Sequence, residues 1–145
     1  MWKKGRGKLG IFEPLIGTWT ARFSSPQGEG ICERYFQKVL TGKFVELNAT
    51  WVFDNSQYDE IALFGPGEDK DLTFWSFTSD GKHSQGVLTD VSDVHPSAIG
   101  FKAHMPAGIA RNVYWPDDEN GFYWVVEAQT KKGWNRFLEH HYLPK

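Results

Sequence analysis

Leu15-Ile16-Gly17-Thr18-Trp19 is the stretch around which the fold is read. Gly17 lets the chain bend sharply into an extended run, because glycine has no Cβ to clash in such a bend. Trp19 is then the first large side chain of that run that has to be buried. In a β-barrel, a Trp just inside the first strand plugs the closed end and gives the later strands a surface to pack on.

Downstream of Gly17, turn signals recur at short intervals. They are Ser25-Pro26-Gln27-Gly28, Thr41-Gly42-Lys43, Asp54 to Gln57, Gly65 to Lys70, Asp80-Gly81, Asp93 to Ser97, Pro106-Ala107-Gly108, Pro116 to Gly121 and Lys131-Lys132-Gly133. Asp80-Gly81 is the strongest hairpin signal, since both residues tolerate positive φ. These nine turns divide the chain into ten extended segments, none with a sustained 3.6-residue apolar period. Short connections between successive strands imply an antiparallel meander.

Alternation assigns faces. Val45, Leu47, Ala49, Trp51 and Phe53 share one face; so do Ile99, Phe101, Ala103 and Met105; so do Phe122, Trp124, Val126 and Ala128. For the last set the inward side is left open, because Tyr123 and Val125 are apolar too. Around Tyr35, Tyr58, Trp75 and Val87, bulky residues on both faces leave the register undecided. Ten strands with one apolar face close most economically into a barrel, which removes exposed edges. The expected fold is therefore all-β: a single antiparallel up-and-down barrel over residues 15–145, preceded by a basic arm, residues 1–14. A two-sheet sandwich is the competing architecture. Ile11, Phe12 and Leu15 are placed to close one mouth of the barrel by a short helical turn, with the rest of the arm solvated.

Composition bounds the function. The chain has 145 residues, a net charge of −2, and 7 Trp, 11 Phe and 5 Tyr. Aromatics at that density suit pleated, half-buried surfaces. Slight net acidity and the lack of an interleaved Lys/Arg stripe argue against nucleic acid as a partner. Cys32 is the one cysteine, so no internal disulfide argues for an oxidising compartment. The basic start Met1 to Lys8 is followed by no apolar signal region, and no apolar run is long enough for a membrane span. These features lead to the expectation of a cytoplasmic protein with no membrane partner.

Gly17-Thr18-Trp19 at the head of the first strand resembles the G-x-W signature of calycin-type barrels: lipocalins, avidins, fatty-acid-binding proteins and nitrobindins. The nearest likeness is to bacterial lipocalin-like barrels of unknown function. Their outline is a Leu-x-Gly-x-Trp start, a Trp-x-Phe followed by Asp-Gly, and a Gly-Trp then Tyr near the C-terminus. Leu15 to Trp19, Trp75-Ser76-Phe77 with Asp80-Gly81, and Gly133-Trp134 with Tyr142 match it. The resemblance covers about residues 12–145 and implies a lipocalin-like barrel with an apolar ligand and no established catalysis. Two features depart from it. Ser25 to Gly28 leaves no room for the helical lid of fatty-acid-binding proteins, and Thr20-Ala21-Arg22-Phe23 lacks the glycine-rich opening of nitrobindins.

Among polar residues, Arg111 stands in register with Ile109, Val113 and Trp115, and alternation points it inward. A guanidinium there needs an anionic or hydrogen-bonding partner. The last segment puts Trp134, Arg136, Leu138, His140 and Tyr142 on one face. Arg111, His140 and Tyr142 resemble, in position, the carboxylate anchor of fatty-acid-binding barrels. With Trp51, Trp75, Trp124 and Phe101 as aromatic lining, they form the candidate site for a small, mostly apolar ligand, one whose head group would be a carboxylate. The competing reading pairs Arg111 internally with a carboxylate such as Glu127 or Glu139, or points it outward at a bulge.

No zinc-ligand spacing, nucleophile elbow or phosphate loop is present, so no metal ligand, catalytic residue or cofactor is assigned. Haem, held by His140 or His141 as in nitrobindin-like barrels, is the alternative cofactor. A metal-free lumenal enzyme of isomerase or cyclase type, built on His140 with Tyr142 or Arg111 with Glu127, is the alternative function. The ambiguous strands offer aromatics for a homodimer.

Overall fold

Strict alternation makes the strands. In Phe44–Val52 the odd-numbered residues Val45, Leu47 and Ala49 are buried while their even-numbered neighbours stay in contact with solvent. A computed structural model describes all residues except Met1 and Gln27. It contains ten strands: β1 Gly17–Ser25, β2 Gly28–Val39, β3 Phe44–Val52, β4 Gln57–Pro66, β5 Leu72–Thr78, β6 His83–Thr89, β7 Ile99–Met105, β8 Gly108–Pro116, β9 Phe122–Thr130 and β10 Gly133–Pro144. Each pairs antiparallel with the next, and β1 meets β10, so the sheet closes into an up-and-down barrel. The turn expected at Ser25 to Gly28 joins β1 to β2, though its Gln27 lies outside the described residues, as does Met1 of the basic start.

One end is plugged as the sequence implied. Residues Lys8–Leu15 form a 3₁₀ helix whose Phe12 and Leu15 are fully buried. Phe12 packs on Phe64 and Phe101, with ring centroids 4.9 and 6.0 Å away. Gly17 takes φ 131°, open to glycine and strained for other residues, and turns the chain into β1. Trp19 follows, donating from Nε1 to the Leu15 carbonyl at 2.7 Å and standing edge-on to Phe122. The arm is not solvated throughout. Trp2 lies against Phe122 and donates to the Ser97 carbonyl, holding the start of the chain on the barrel wall.

The other end is looser. β1 pairs with β2 over its whole length, from Gly17↔Phe36 to Ser25↔Gly28. Its ladder to β10 consists of Trp19↔Pro144 and Thr20↔Leu143 alone. From Ala21 onward β1 diverges from β10, and the ring of Phe23 fills the gap, stacked on His140 with centroids 5.0 Å apart. A bulge between Arg136 and Leu138 pushes Phe137 outward on the same side of the opening.

Candidate binding site in the barrel lumen

Strand β2 carries the decisive side chain. Cys32, Arg34 and Phe36 are buried, and Ile31 and Tyr35 on the opposite face are exposed. Arg34 therefore points into the barrel and is only 1% exposed. Its guanidinium crosses the lumen to the β8–β10 wall. Nε donates to the Tyr142 hydroxyl and Nη1 to the Tyr114 hydroxyl, both at 2.9 Å. The guanidinium carbon lies 3.9 Å from the centroid of the Trp124 ring, and Trp51, Tyr114 and Tyr142 complete an aromatic box at 5.4 to 5.8 Å. Nη2 has no hydrogen-bond partner, and neither has the indole N–H of Trp124.

A short polar chain lies behind it. The Tyr142 hydroxyl, besides accepting from Arg34, lies 3.0 Å from the Cys32 Sγ and 2.9 Å from His140 Nδ1. Tyr142 has one proton for those two neighbours, so the other must donate to it or go without. His140 Nε2 is buried and unpartnered in either arrangement. Burial, and then the Arg34 cation, lower the His140 pKa to about 4, so the ring is neutral at pH 7. Burial likewise pushes Tyr114 up to about 12 and raises Cys32 and Tyr142. Burial works against the charge on Arg34, but Tyr114, Tyr142, Cys32 and Glu60 around it hold its pKa above the ordinary arginine value. Arg34 is thus a permanent charge bonded to neutral phenols, with a neutral thiol and imidazole behind them.

Beside this group is a cavity of about 270 Å³. Leu47, Trp51, Ala62, Phe64, Phe74, Trp124, Val126 and Leu138 form its apolar wall, and Arg34, Tyr58, Glu60, Ser76, Ser84, Asn112 and Tyr114 its polar points. A second, more open space of about 670 Å³ shares Trp51, Tyr58 and Leu138 with it and reaches the surface past Phe23, Phe53 and Phe137. The inner cavity sits at the small end of the range for ligand pockets, about 300–1,000 Å³; the two together lie within it.

The structure redistributes the expected site. Trp51 and Trp124 line the cavity. His140 and Tyr142 lie behind Arg34 and bond to each other. Phe101 points inward but belongs to the plugged end, packed among Phe12, Phe64 and Phe74. Trp75 is on the outer face, since its neighbours Phe74 and Ser76 are the ones lining the cavity.

Arg111 also changes sides. Arg111 borders the cavity together with Ala110, Asn112 and Tyr114, but its guanidinium is taken up by Glu127 and Asp93. Ile109, Arg111, Val113 and Trp115 form an apolar outer face because residues 90–98 fold over it: Val91, Val94 and Ala98 pack with Val113, Val125 and Trp115. Beneath that flap Arg111 binds Glu127 at 2.8 Å and Asp93 at 2.8 Å, and lies 4.2 Å from the Trp134 ring centroid. The internal carboxylate pairing holds, and Arg111 has no spare donor role in the lumen. The Arg136 bulge has a similar effect on β10: Trp134 and Arg136 pair opposite Gln129 and Glu127, while Leu138, His140 and Tyr142 turn inward.

Arg34, Tyr114 and Glu60 were not anticipated. The signal for Arg34 is present in its alternation with Cys32 and Phe36, an inward pair of small and large apolar residues flanking a lone charge. Among the described residues no group of three or more His, Cys, Asp or Glu is arranged to hold a metal ion. No helix among them is long and apolar enough to cross a membrane. Comparison with protein-family models and with curated proteins finds no match for this chain.

Proposed function

We propose that the lumen binds a small, mostly apolar molecule carrying a carboxylate, with Arg34 as the anchor and Tyr114 and Tyr142 as its supports. One observation carries this reading: a fully buried guanidinium that makes no ion pair among the described residues and keeps one nitrogen unbonded. Removing such a charge from water costs several kcal/mol. The face of Trp124 and two phenol oxygens offset part of that; a desolvated cation–π contact contributes about 2 kcal/mol. An anion at Nη2 would supply the rest once the side chains covering that atom give way, and the equally buried indole N–H of Trp124 is a second unused donor on the same ring. The two unsatisfied groups at the guanidinium, Nη2 and the Trp124 N–H, are donors, which favours an acceptor ligand.

The barrel architecture agrees with a calycin-like, ligand-carrying fold, and the closer relation to lipocalin-like, fatty-acid-binding or nitrobindin barrels is part of this proposal. The anchor differs from the one expected by analogy: the arginine comes from the second strand, with Tyr114 and Tyr142 as its support and His140 behind Tyr142. Titration with 3-phenylpropionate, followed by Trp fluorescence and calorimetry, tests the reading. Wild-type protein binds; Arg34→Met does not; Arg111→Ala binds as wild type. Equal binding by Arg34→Met and wild type overturns it.

Haem is a second reading, favoured by His140, a neutral imidazole with an unpaired Nε2 at the wall of the larger space. Phe23 lies flat on that imidazole, so a porphyrin would have to displace it. Haemin titration without a Soret shift removes this reading.

A further inference from the structure

The lumen contains a second charge that the carboxylate anchor does not use. Trp19, Arg34, Ala49, Glu60 and Thr78 are successive cross-strand partners, so they form one row across β1 to β5. Arg34 and Glu60 are two strands apart, with Cα atoms about 10 Å from each other at the usual strand spacing. Between them in the row stands Ala49, which is buried and does not line the cavity. Arg34 reaches away to Tyr114 and Tyr142 on the opposite wall, whereas Glu60 stays at its own wall, where Oε2 accepts a hydrogen bond from Ser76. No ion pair joins the two, and Oε1 of Glu60 accepts no hydrogen bond among the described residues. Both side chains line the same cavity.

Opposite charges in one half-dry chamber attract strongly, and long side chains ordinarily close such a gap. Here hydrogen bonds to different strands, Arg34 to β8 and β10 and Glu60 to β5, hold them apart, and both border the one cavity. We infer that the ligand is bifunctional: its carboxylate meets Arg34 and a hydroxyl or amine at the other end of a short apolar body donates to Glu60. This rests on the Arg34 reading above and narrows it from any small carboxylate to hydroxy- or amino-substituted ones. The body between the two groups is flat or narrow, because Trp51, Tyr58 and Phe74 press on it from the sides.

The test compares 3-phenylpropionate with its 3-hydroxyphenyl and 4-hydroxyphenyl analogues by calorimetry on the full chain. At least one hydroxylated analogue is expected to bind wild-type protein about tenfold or more tightly than the parent, the usual range for a hydrogen bond to a charged group. Glu60→Leu should erase that preference, with the parent still bound at least as tightly because a like charge leaves the lumen. If neither analogue improves on the parent in wild-type protein, the bifunctional inference fails and the Arg34 anchor stands; this comparison needs no variant to fold. If none of the three carboxylates binds, both fail. A preference that persists in a folded Glu60→Leu protein also overturns the inference, since the hydroxyl is then read elsewhere.

Discussion

The guanidinium carbon of Arg34 lies 3.9 Å from the centre of the Trp124 ring and, among the described residues, forms no ion pair with a carboxylate. An arginine retained for stability would be paired; replacing a buried charge by an apolar side chain of similar length is often neutral or stabilising. Arg34→Met is therefore expected to leave the denaturation midpoint unchanged or raised, even though Tyr114 and Tyr142 lose a partner, and to abolish carboxylate binding. Chemical denaturation and calorimetry on the same preparation check both halves. Loss of several kcal/mol of stability would make Arg34 a structural residue.

The barrel itself was legible from the chain because turns and alternation repeat the same message ten times. Strands β3 and β7 face as Val45 to Phe53 and Ile99 to Met105 imply, and on β9, where alternation leaves the inward side open, Phe122, Trp124 and Val126 turn in. The site was less so, for two local reasons. On β8 the apolar face is the outer one, since residues 90–98 bury it, so a rule that points apolar residues inward turns Arg111 the wrong way. On β10 the bulge shifts parity by one, so Arg136 and His140 share a face in the sequence and opposite faces in the fold. Neither covering loops nor bulges have a period that alternation can detect.

His140 makes stability pH-dependent. Its pKa is about 4 in the folded chain against the ordinary 6.5, so between those values the unfolded chain binds the extra proton. The contribution is complete above pH 6.5 and is lost as pH falls toward 4, by about 3 kcal/mol in all. Urea midpoints at pH 7, 5.5 and 4.5 should fall in that order. His140→Gln should flatten the part of the slope that His140 supplies; an unchanged slope would show that the fall comes from carboxylates.

Arg111 separates packing from binding. Its partners Glu127 and Asp93 and the Trp134 ring all lie on the outer face, under the flap. Arg111→Ala leaves Glu127 with Arg136, which binds it at 2.9 Å, so the cost falls below that of an orphaned buried charge. We expect a loss of about 2 kcal/mol of stability with carboxylate affinity unchanged. Weakened binding in a fully folded Arg111→Ala protein would return Arg111 to the site.

Phe23 closes the side of the barrel where β1 and β10 part. Its ring stacks on His140 at 5.0 Å, meets Phe53 edge-on at 5.4 Å, and lies over Gly30, where a Cβ would collide with it. Phe23→Ala should cost about 2–3 kcal/mol, less than a fully buried Phe, because one side of the ring is already wet. Its more specific consequence is electrostatic. Water reaching His140 relieves the desolvation that is the larger cause of its lowered pKa, so the value should climb from about 4 toward 6.5. The acid-side loss of stability should then shrink with it. Imidazole titration by NMR in Phe23→Ala reads this directly, and a pKa still near 4 would mean that Arg34, not the aromatic cover, keeps the ring neutral.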